Sequence, residues 1–226
     1  MAWEFHNPQF VMETAPELPL NFMISGPWSG HRNFAYDLVR FVKPSTMVEL
    51  GTHYGTSFFS FCQAVRDSKL PTICYAVDTW EGDAHSGYYG EEVYESVKTV
   101  NTREFSETGR LLRKKFDDAV CLFENGSIDL LHIDGYHTYE ATLHNYSTWY
   151  PKLAENSIVL FHDIAVRTND FGVHILWETL KEFPHLEFPH CYGLGVLFPK
   201  GVPKDFQVVL QQKDSIIEHY ANQAKE

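Results

Sequence analysis

Apolar positions recur along this chain with two periods. Between residues 31 and 198, short apolar runs of strand length alternate with segments whose apolar residues return every three or four positions. Thr46–Leu50, residues 73–77, Ile128–Ile133 and residues 157–161 read as strands, and residues 110–112 as a weaker one. Helices are expected over 31–42, with Phe34, Leu38, Phe41 and Val42 on one face and Pro44 as the stop, and over 57–65 and 91–105. A Tyr139, Leu143, Tyr146, Tyr150 stripe predicts a further helix closed by Pro151. Val173, Leu176, Trp177 and Leu180 predict another, ending near Pro184. Residues 186–198, centred on Gly193-Leu194-Gly195, read as a closing hairpin.

Repeated strand–helix–strand order implies an α/β fold, a Rossmann-like doubly wound sheet that is mostly parallel. The closing hairpin is expected to add one antiparallel strand at the edge. Residues 1–27, with four prolines, read as an irregular arm and residues 28–200 as the main domain. In the polar tail, 201–226, Phe206, Leu210, Ile217 and Tyr220 lie loosely on one helical face. Such sheets bind ligands beyond the carboxyl ends of their strands. The polar residues expected to converge there are Glu49, Asp78, Asp134, His162 and Asp163.

Composition narrows the function classes. The 226 residues carry 18 Lys and Arg against 30 Asp and Glu, a formal charge of −12, and 44% hydrophobic residues. That supports a real core and disfavours a binder of duplex nucleic acid or of an anionic membrane. No apolar run approaches the roughly 20 residues of a membrane span. The first ten residues lack the basic-then-apolar plan of a secretion signal. Cys62, Cys74, Cys121 and Cys191 are widely spaced, as expected of reduced thiols in a cytoplasmic protein.

The turn after the first strand reads Glu49-Leu50-Gly51-Thr52-His53-Tyr54-Gly55-Thr56-Ser57. A dinucleotide fold needs a second glycine where His53 stands, so that a pyrophosphate can reach the backbone. A ligand without phosphate is not excluded. Glu49 suits a cationic group, the helix start near Thr56 an anion, and Asp78 a ribose. S-adenosylmethionine has these three parts. The competing reading is a plain tight turn.

With these residues, the chain resembles class I S-adenosylmethionine-dependent methyltransferases. The resemblance runs through Glu49-Leu50-Gly51 with Gly55, Ala76-Val77-Asp78-Thr79-Trp80, residues 133–140 (Ile-Asp-Gly-Tyr-His-Thr-Tyr-Glu) and Phe161-His162-Asp163. It covers about residues 25–198 and is nearest to a bacterial subgroup associated with sugar-polymer glycosyltransferases. It implies a cofactor site built from Glu49, Gly51, Thr52, His53, Gly55, Thr56, Ser57, Asp78, Thr79, Trp80 and Asp134. It also implies a saccharide or other small hydroxylated acceptor and association with a glycosyltransferase; a second copy of the chain is a separate expected partner. The stretch Arg113-Lys114-Lys115-Phe116-Asp117 departs from the acidic or polar residue that family members often carry for the adenine edge.

Three features carry candidate chemistry. His137 is a candidate general base beside Asp134 and Asp163, against a plain helix-capping role. Asp134, His162 and Asp163 could hold a divalent metal such as Mg²⁺, as similar positions do in distantly similar catechol-type enzymes; alternatively the two acids only cap helices. The loop with Trp80, His85, Tyr88 and Tyr89 reads as a lid over substrate, or as an ordinary crossover loop. His132 reads as a packed core residue. A nicotinamide-dependent oxidoreductase and a non-catalytic cofactor-binding module are the rival readings.

Overall fold

The structure is a computed structural model and describes residues 2–224. Its strands, in chain order, are β1 (Thr46–Leu50), β2 (Ile73–Asp78), β3 (Gly82–Asp83), β4 (Gly87–Tyr88), β5 (Gly109–Arg113), β6 (Ile128–Ile133), β7 (Leu153–His162), β8 (His185–Phe188) and β9 (Leu194–Leu197). The helices are α1 (Leu20–Ser25), α2 (Arg32–Val42), α3 (Thr56–Ser68), α4 (Glu91–Glu104), α5 (Phe116–Ala119), α6 (Tyr139–Trp149), α7 (Val173–Leu180), α8 (Phe206–Gln211) and α9 (Lys213–Gln223). No described helix is long and apolar enough to cross a membrane.

Seven strands form one sheet in the order β5-β2-β1-β6-β7-β9-β8. β5, β2, β1, β6 and β7 pair in parallel, and β9 runs antiparallel to both β7 and β8. This is the doubly wound sheet expected from the alternating pattern. One detail is corrected. The antiparallel strand β9 lies inside the sheet, because the chain passes outward to β8 first and then turns back into the gap beside β7. β3 and β4 form a separate two-stranded hairpin within the expected lid loop.

Side chains alternate across each strand, so the sheet divides the core into two layers. Met47, Cys74, Ala76, Leu130 and Leu160 face one layer, packed by α2, α3 and α4. Val48, Leu50, Val77, Leu131, Val159 and Phe161 face the other, packed by α6 and α7. Near-continuous apolar strands follow from burial on both faces. α6 starts where the Thr138 hydroxyl accepts the Ala141 N–H at 3.2 Å, an ordinary N-cap.

The two ends of the chain close the first layer together. Phe10, Met12, Leu18 and Met23 from the N-terminal segment, and Phe206, Val209, Ile216 and Tyr220 from the tail, are buried in one cluster with α2 and α3. The tail is therefore two helices docked on the domain. Trp3 Nε1 donates to the Tyr220 hydroxyl at 3.0 Å, and that hydroxyl donates to the buried Asp37 carboxylate. Burial pushes Asp37 up from its ordinary pKa, opposed by the hydrogen bonds from Tyr220 and His6. Tyr220→Phe should cost about 1–3 kcal/mol, the usual penalty for leaving a buried acceptor short of a donor. Urea unfolding should show it as a lower midpoint at unchanged slope.

Candidate active site

The strand order reverses between β1 and β6, and a cavity of about 570 Å³ opens above this point. One wall is the turn from β1 into α3. Gly51 has φ +91°, and a Cβ there would meet the Asp134 carbonyl oxygen at 2.0 Å, so only glycine fits. Asp78, at the end of β2, secures the turn. Its Oδ2 accepts the Thr52 and His53 N–H groups at 2.8 and 3.0 Å, and its Oδ1 accepts the Trp80 N–H at 2.7 Å. Trp80 is fully buried and donates Nε1–H to the His53 carbonyl at 2.9 Å.

These bonds bear on the choice of ligand. The two backbone N–H groups that a pyrophosphate would seek at this turn are already committed to Asp78. α3 begins after Gly55 with no side-chain cap, leaving its first N–H groups for an anion. The Thr52 hydroxyl lies in the wall, buried and without a hydrogen-bond partner among the described residues. A cofactor with a carboxylate, hydroxyls and no phosphate fits this turn.

The opposite wall carries the acid and imidazole groups. Asp134 follows β6, His162 ends β7, and Asp163 follows it with φ +62°, a left-handed conformation that aspartate tolerates better than most residues. His162 Nε2 donates to the Cys191 carbonyl at 3.0 Å, which turns Nδ1 toward Asp134 Oδ1 at 3.3 Å and Asp163 Oδ2 at 3.2 Å. These three donor atoms lie within 4.8 Å of one another, the spacing of a divalent-ion site. A backbone partner on the far nitrogen is what orients a metal-ligating imidazole. The residues therefore fit a metal, and the nitrogen in the set widens the choice from Mg²⁺ toward Mn²⁺ or Zn²⁺.

His137 Nε2 lies 3.0 Å from Asp163 Oδ2 and 3.6 Å from Asp134 Oδ1. Burial alone would lower its pKa, but the two carboxylates outweigh that and raise it to about 9. Despite burial, Asp134 and Asp163 are held below the usual carboxylate range, chiefly by His162 and then by hydrogen bonds with His137 and His162. In this arrangement His137 carries its proton at neutral pH. It acts first as a clamp on the two carboxylates, a constraint on the expected base role that sequence spacing did not reveal.

The lid loop meets this wall. His85 lies 2.7 Å from Asp170 and stacks on Phe171, and His137 stacks on the same Phe171 ring with centroids 4.8 Å apart. Of the four expected lid residues, His85 and Tyr89 line the cavity. Tyr88 is 82% exposed because neighbours on the β3–β4 hairpin point to opposite sides. Trp80 supports the turn from beneath. Left-handed backbone at His53, Trp80, Asp163, Cys191 and Tyr192 concentrates strain around the cavity.

Among expected cofactor residues, Gly51, Thr52, His53, Thr56, Ser57, Asp78, Thr79 and Asp134 line the cavity. Gly55 lies behind, at the helix cap. Glu49 is corrected from a wall position to one beneath the floor: it is fully buried, because position 49 alternates with Met47 into the α2–α3 layer. There it contacts His132 at 2.8 Å, so His132 is a core residue with a polar partner. Sequence reasoning missed Phe22, Tyr136, Phe171 and Tyr192 in the lining. Lys115 and Phe116, from the stretch that departs from the family pattern, also line the cavity, with the Phe116 ring closely apposed to Gly135.

The fold and this convergence of a glycine turn, strand-end acids and imidazoles define a ligand-binding α/β domain. The chain belongs to a methyltransferase family: the family model described as "Methyltransferase domain" matches residues 48–164, just over half of its length. It is 48% identical over 172 residues to an uncharacterized protein of Sinorhizobium fredii, covering 76% of this chain and 19% of that protein. The chain thus spans about a fifth of the length of this curated relative. Solved structures share the fold at low identity. A methyltransferase from Geobacter sulfurreducens matches with a TM-score of 0.57 at 14% identity, covering 76% of this chain and 80% of that one. The Streptomyces achromogenes O-methyltransferase TomG, in complex with SAM, matches at 0.56 and 11%, covering 85% and 96%. A Bacillus cereus O-methyltransferase in complex with SAH matches at 0.56 and 12%, covering 81% and 85%.

Asp78→Asn replaces one acceptor oxygen with an N–H₂ facing backbone donors. It should destabilise the protein by about 1–3 kcal/mol. Amide exchange should speed up at Thr52, His53 and Trp80 ahead of the rest of the sheet.

Proposed function

We propose that this chain is an S-adenosylmethionine-dependent O-methyltransferase acting on a small hydroxylated acceptor, with a saccharide as the leading candidate. One observation carries the reading: a single cavity joins the phosphate-averse turn at Gly51–Ser57 to the Asp134, His137, His162 and Asp163 cluster. The first end suits a cofactor with a carboxylate and a ribose, and the second suits an acceptor hydroxyl. When bound, S-adenosylmethionine supplies an electrophilic methyl group on a sulfonium sulfur.

The chain's own residues would act as follows. The uncapped start of α3 and the Thr52 hydroxyl receive the carboxylate end. Asp78 keeps lone-pair capacity beyond its three backbone bonds and faces the ribose. Lys115 and Phe116 border the adenine end. Asp134, His162 and Asp163 would hold a divalent cation, which supplies a Lewis acid to draw the acceptor hydroxyl toward its alkoxide. His137 holds the two carboxylates in place. The Phe171–His85 surface and the lid exclude water and align the acceptor, and alignment alone is worth ~7–11 kcal/mol of barrier. Asp78, Asp83, Asp134 and Asp163 in one wall system select against anionic acceptors. The length of the Sinorhizobium relative supports work within a longer polypeptide, and the resemblance to glycosyltransferase-associated enzymes supports a saccharide acceptor.

A nicotinamide oxidoreductase is the rival that the turn argues against. Calorimetry with S-adenosylhomocysteine and with NADH separates them: the first should bind and the second should not. Binding of NADH alone would overturn the proposal. Dialysis against EDTA should abolish turnover, and Mn²⁺ or Mg²⁺ should restore it. Asp163→Ala should lose the metal by elemental analysis yet keep S-adenosylhomocysteine affinity. His137→Ala should keep cofactor affinity and lose about 10–100-fold in turnover, the range for removing a group that orients metal-ligating side chains.

A further inference from the structure

A stack of three rings from three separate segments borders the Asp134 and Asp163 end of the cavity. His137 and Phe171 lie 4.8 Å apart with planes 6° from parallel. His85 lies 4.3 Å from Phe171 at 17° and 5.5 Å from His137 at 21°. Two of these rings are tied together through the backbone. The Gly172 N–H donates to the His137 carbonyl at 2.8 Å, which holds Phe171 against the imidazole. The third ring arrives from the lid. None of residues 81–90, around the β3–β4 hairpin, is buried, yet the His85 side chain at its tip is only 6% exposed. Asp83 Oδ1 accepts the His85 and Ser86 N–H groups at 2.7 and 2.8 Å and so shapes the tip. A segment with so little burial opens at small cost in free energy.

The stack matters because His137 has little else to orient it. An imidazole at a metal site is ordinarily fixed by a partner on its far nitrogen, as the Cys191 carbonyl fixes His162. His137 Nδ1 is buried with no hydrogen-bond partner among the described residues. Its ring direction therefore rests on the Nε2 contacts with Asp134 and Asp163 and on the faces of Phe171 and His85. His85 is held in a similar way. Its Nδ1 is also buried without a partner among the described residues, and its Nε2 donates at 2.7 Å to Asp170, a carboxylate that can only accept. Asp170 adjoins Phe171 in the chain. One hydrogen bond to that segment thus seats His85 on the stack.

We infer that His85 and Phe171 are positioning residues that couple seating of the β3–β4 hairpin to the order of the Asp134, His162 and Asp163 cluster, acting through the His137 ring. The inference rests on the reading of that cluster as a divalent-ion site. With the hairpin seated, His137 is kept from turning away from Asp163 Oδ2, and the carboxylates keep the spacing that an ion needs. With the hairpin lifted, the stack loses one ring and both acids gain freedom. Coupling is reciprocal, so an ion that binds the ordered site also draws the hairpin down. The ion site and its cover then form together, and water is excluded when the site is ready.

The test uses Mn²⁺ alone on the full chain. Affinity is read from the electron paramagnetic resonance of the free ion, and hairpin opening from amide hydrogen exchange over residues 82–89. Mn²⁺ should slow exchange in the hairpin about fivefold or more, the low end of ordinary coupling between sites. His85→Ala and Phe171→Leu should weaken Mn²⁺ binding by about the same factor and abolish the slowing. Phe171→Tyr keeps a ring in the stack and should retain both. Asp170→Ala should speed hairpin exchange without metal and weaken Mn²⁺ binding. In each variant, S-adenosylhomocysteine affinity by calorimetry should change less than about twofold, within the spread of a near-neutral substitution. Variants that bind Mn²⁺ as tightly as the unaltered chain, hairpin exchange indifferent to Mn²⁺, or an equal loss of S-adenosylhomocysteine affinity would overturn the coupling and leave the ion site in place. Failure of the unaltered chain to bind Mn²⁺ would overturn the ion site and the coupling with it.

Discussion

The site depends on how one carboxylate is used. Asp78 accepts three backbone N–H groups, two from the turn after β1 and one from the start of the lid loop. Those donors would otherwise be orphaned in a buried corner. By binding them, Asp78 fixes the left-handed conformation at His53, the direction in which α3 departs, and the place where Trp80 folds under the turn. The open end of α3 faces the cavity as a result, with Thr52 in its wall. The interaction also removes the donors a pyrophosphate would need, so one residue both shapes the site and restricts its ligand.

Across the cavity the same logic appears with imidazoles. The Cys191 carbonyl accepts His162 Nε2–H and also His31 Nε2–H, at 3.0 and 3.2 Å. His162 is thereby aimed at Asp134 and Asp163. His31, fully buried and near other histidines, is pushed well below its ordinary pKa and stays neutral. Two histidines on one carbonyl thus differ in setting, because one faces carboxylates that push its pKa up and the other does not. The hairpin turn that supplies this carbonyl is held left-handed through Cys191, Tyr192 and Gly193.

Much of the fold was legible because its pattern is strong. Strands buried on both faces read as apolar runs, and Ile128–Ile133 and Val173–Leu180 fall where their patterns placed them. β7 starts four residues before its apolar run, because Ala154, Glu155 and Asn156 lie at the solvated end of the strand. The place of β9 could not be read, since pairing order is a long-range choice that local periodicity does not encode. In the site, strand-end residues were legible from topology alone. The partnership of Glu49 with His132 was not, because it needs the β1–β6 register. Phe22 and Phe171 carry no motif, and they reach the cavity through packing of segments remote in sequence. The constraint on His137 arises from two acids brought to it by separate strands.

A crystal structure of the protein soaked with S-adenosylhomocysteine and Mn²⁺ would show directly which ends of the cavity hold cofactor and metal. The amino-acid end of the ligand should lie at the start of α3, its ribose at Asp78, and its sulfur should point toward Asp134, His162 and Asp163. One metal ion should lie there, within roughly 2.0–2.3 Å of their donor atoms, the usual range for imidazole and carboxylate ligands. Ligand density elsewhere, or a cavity that stays empty at saturating ligand, would contradict this placement.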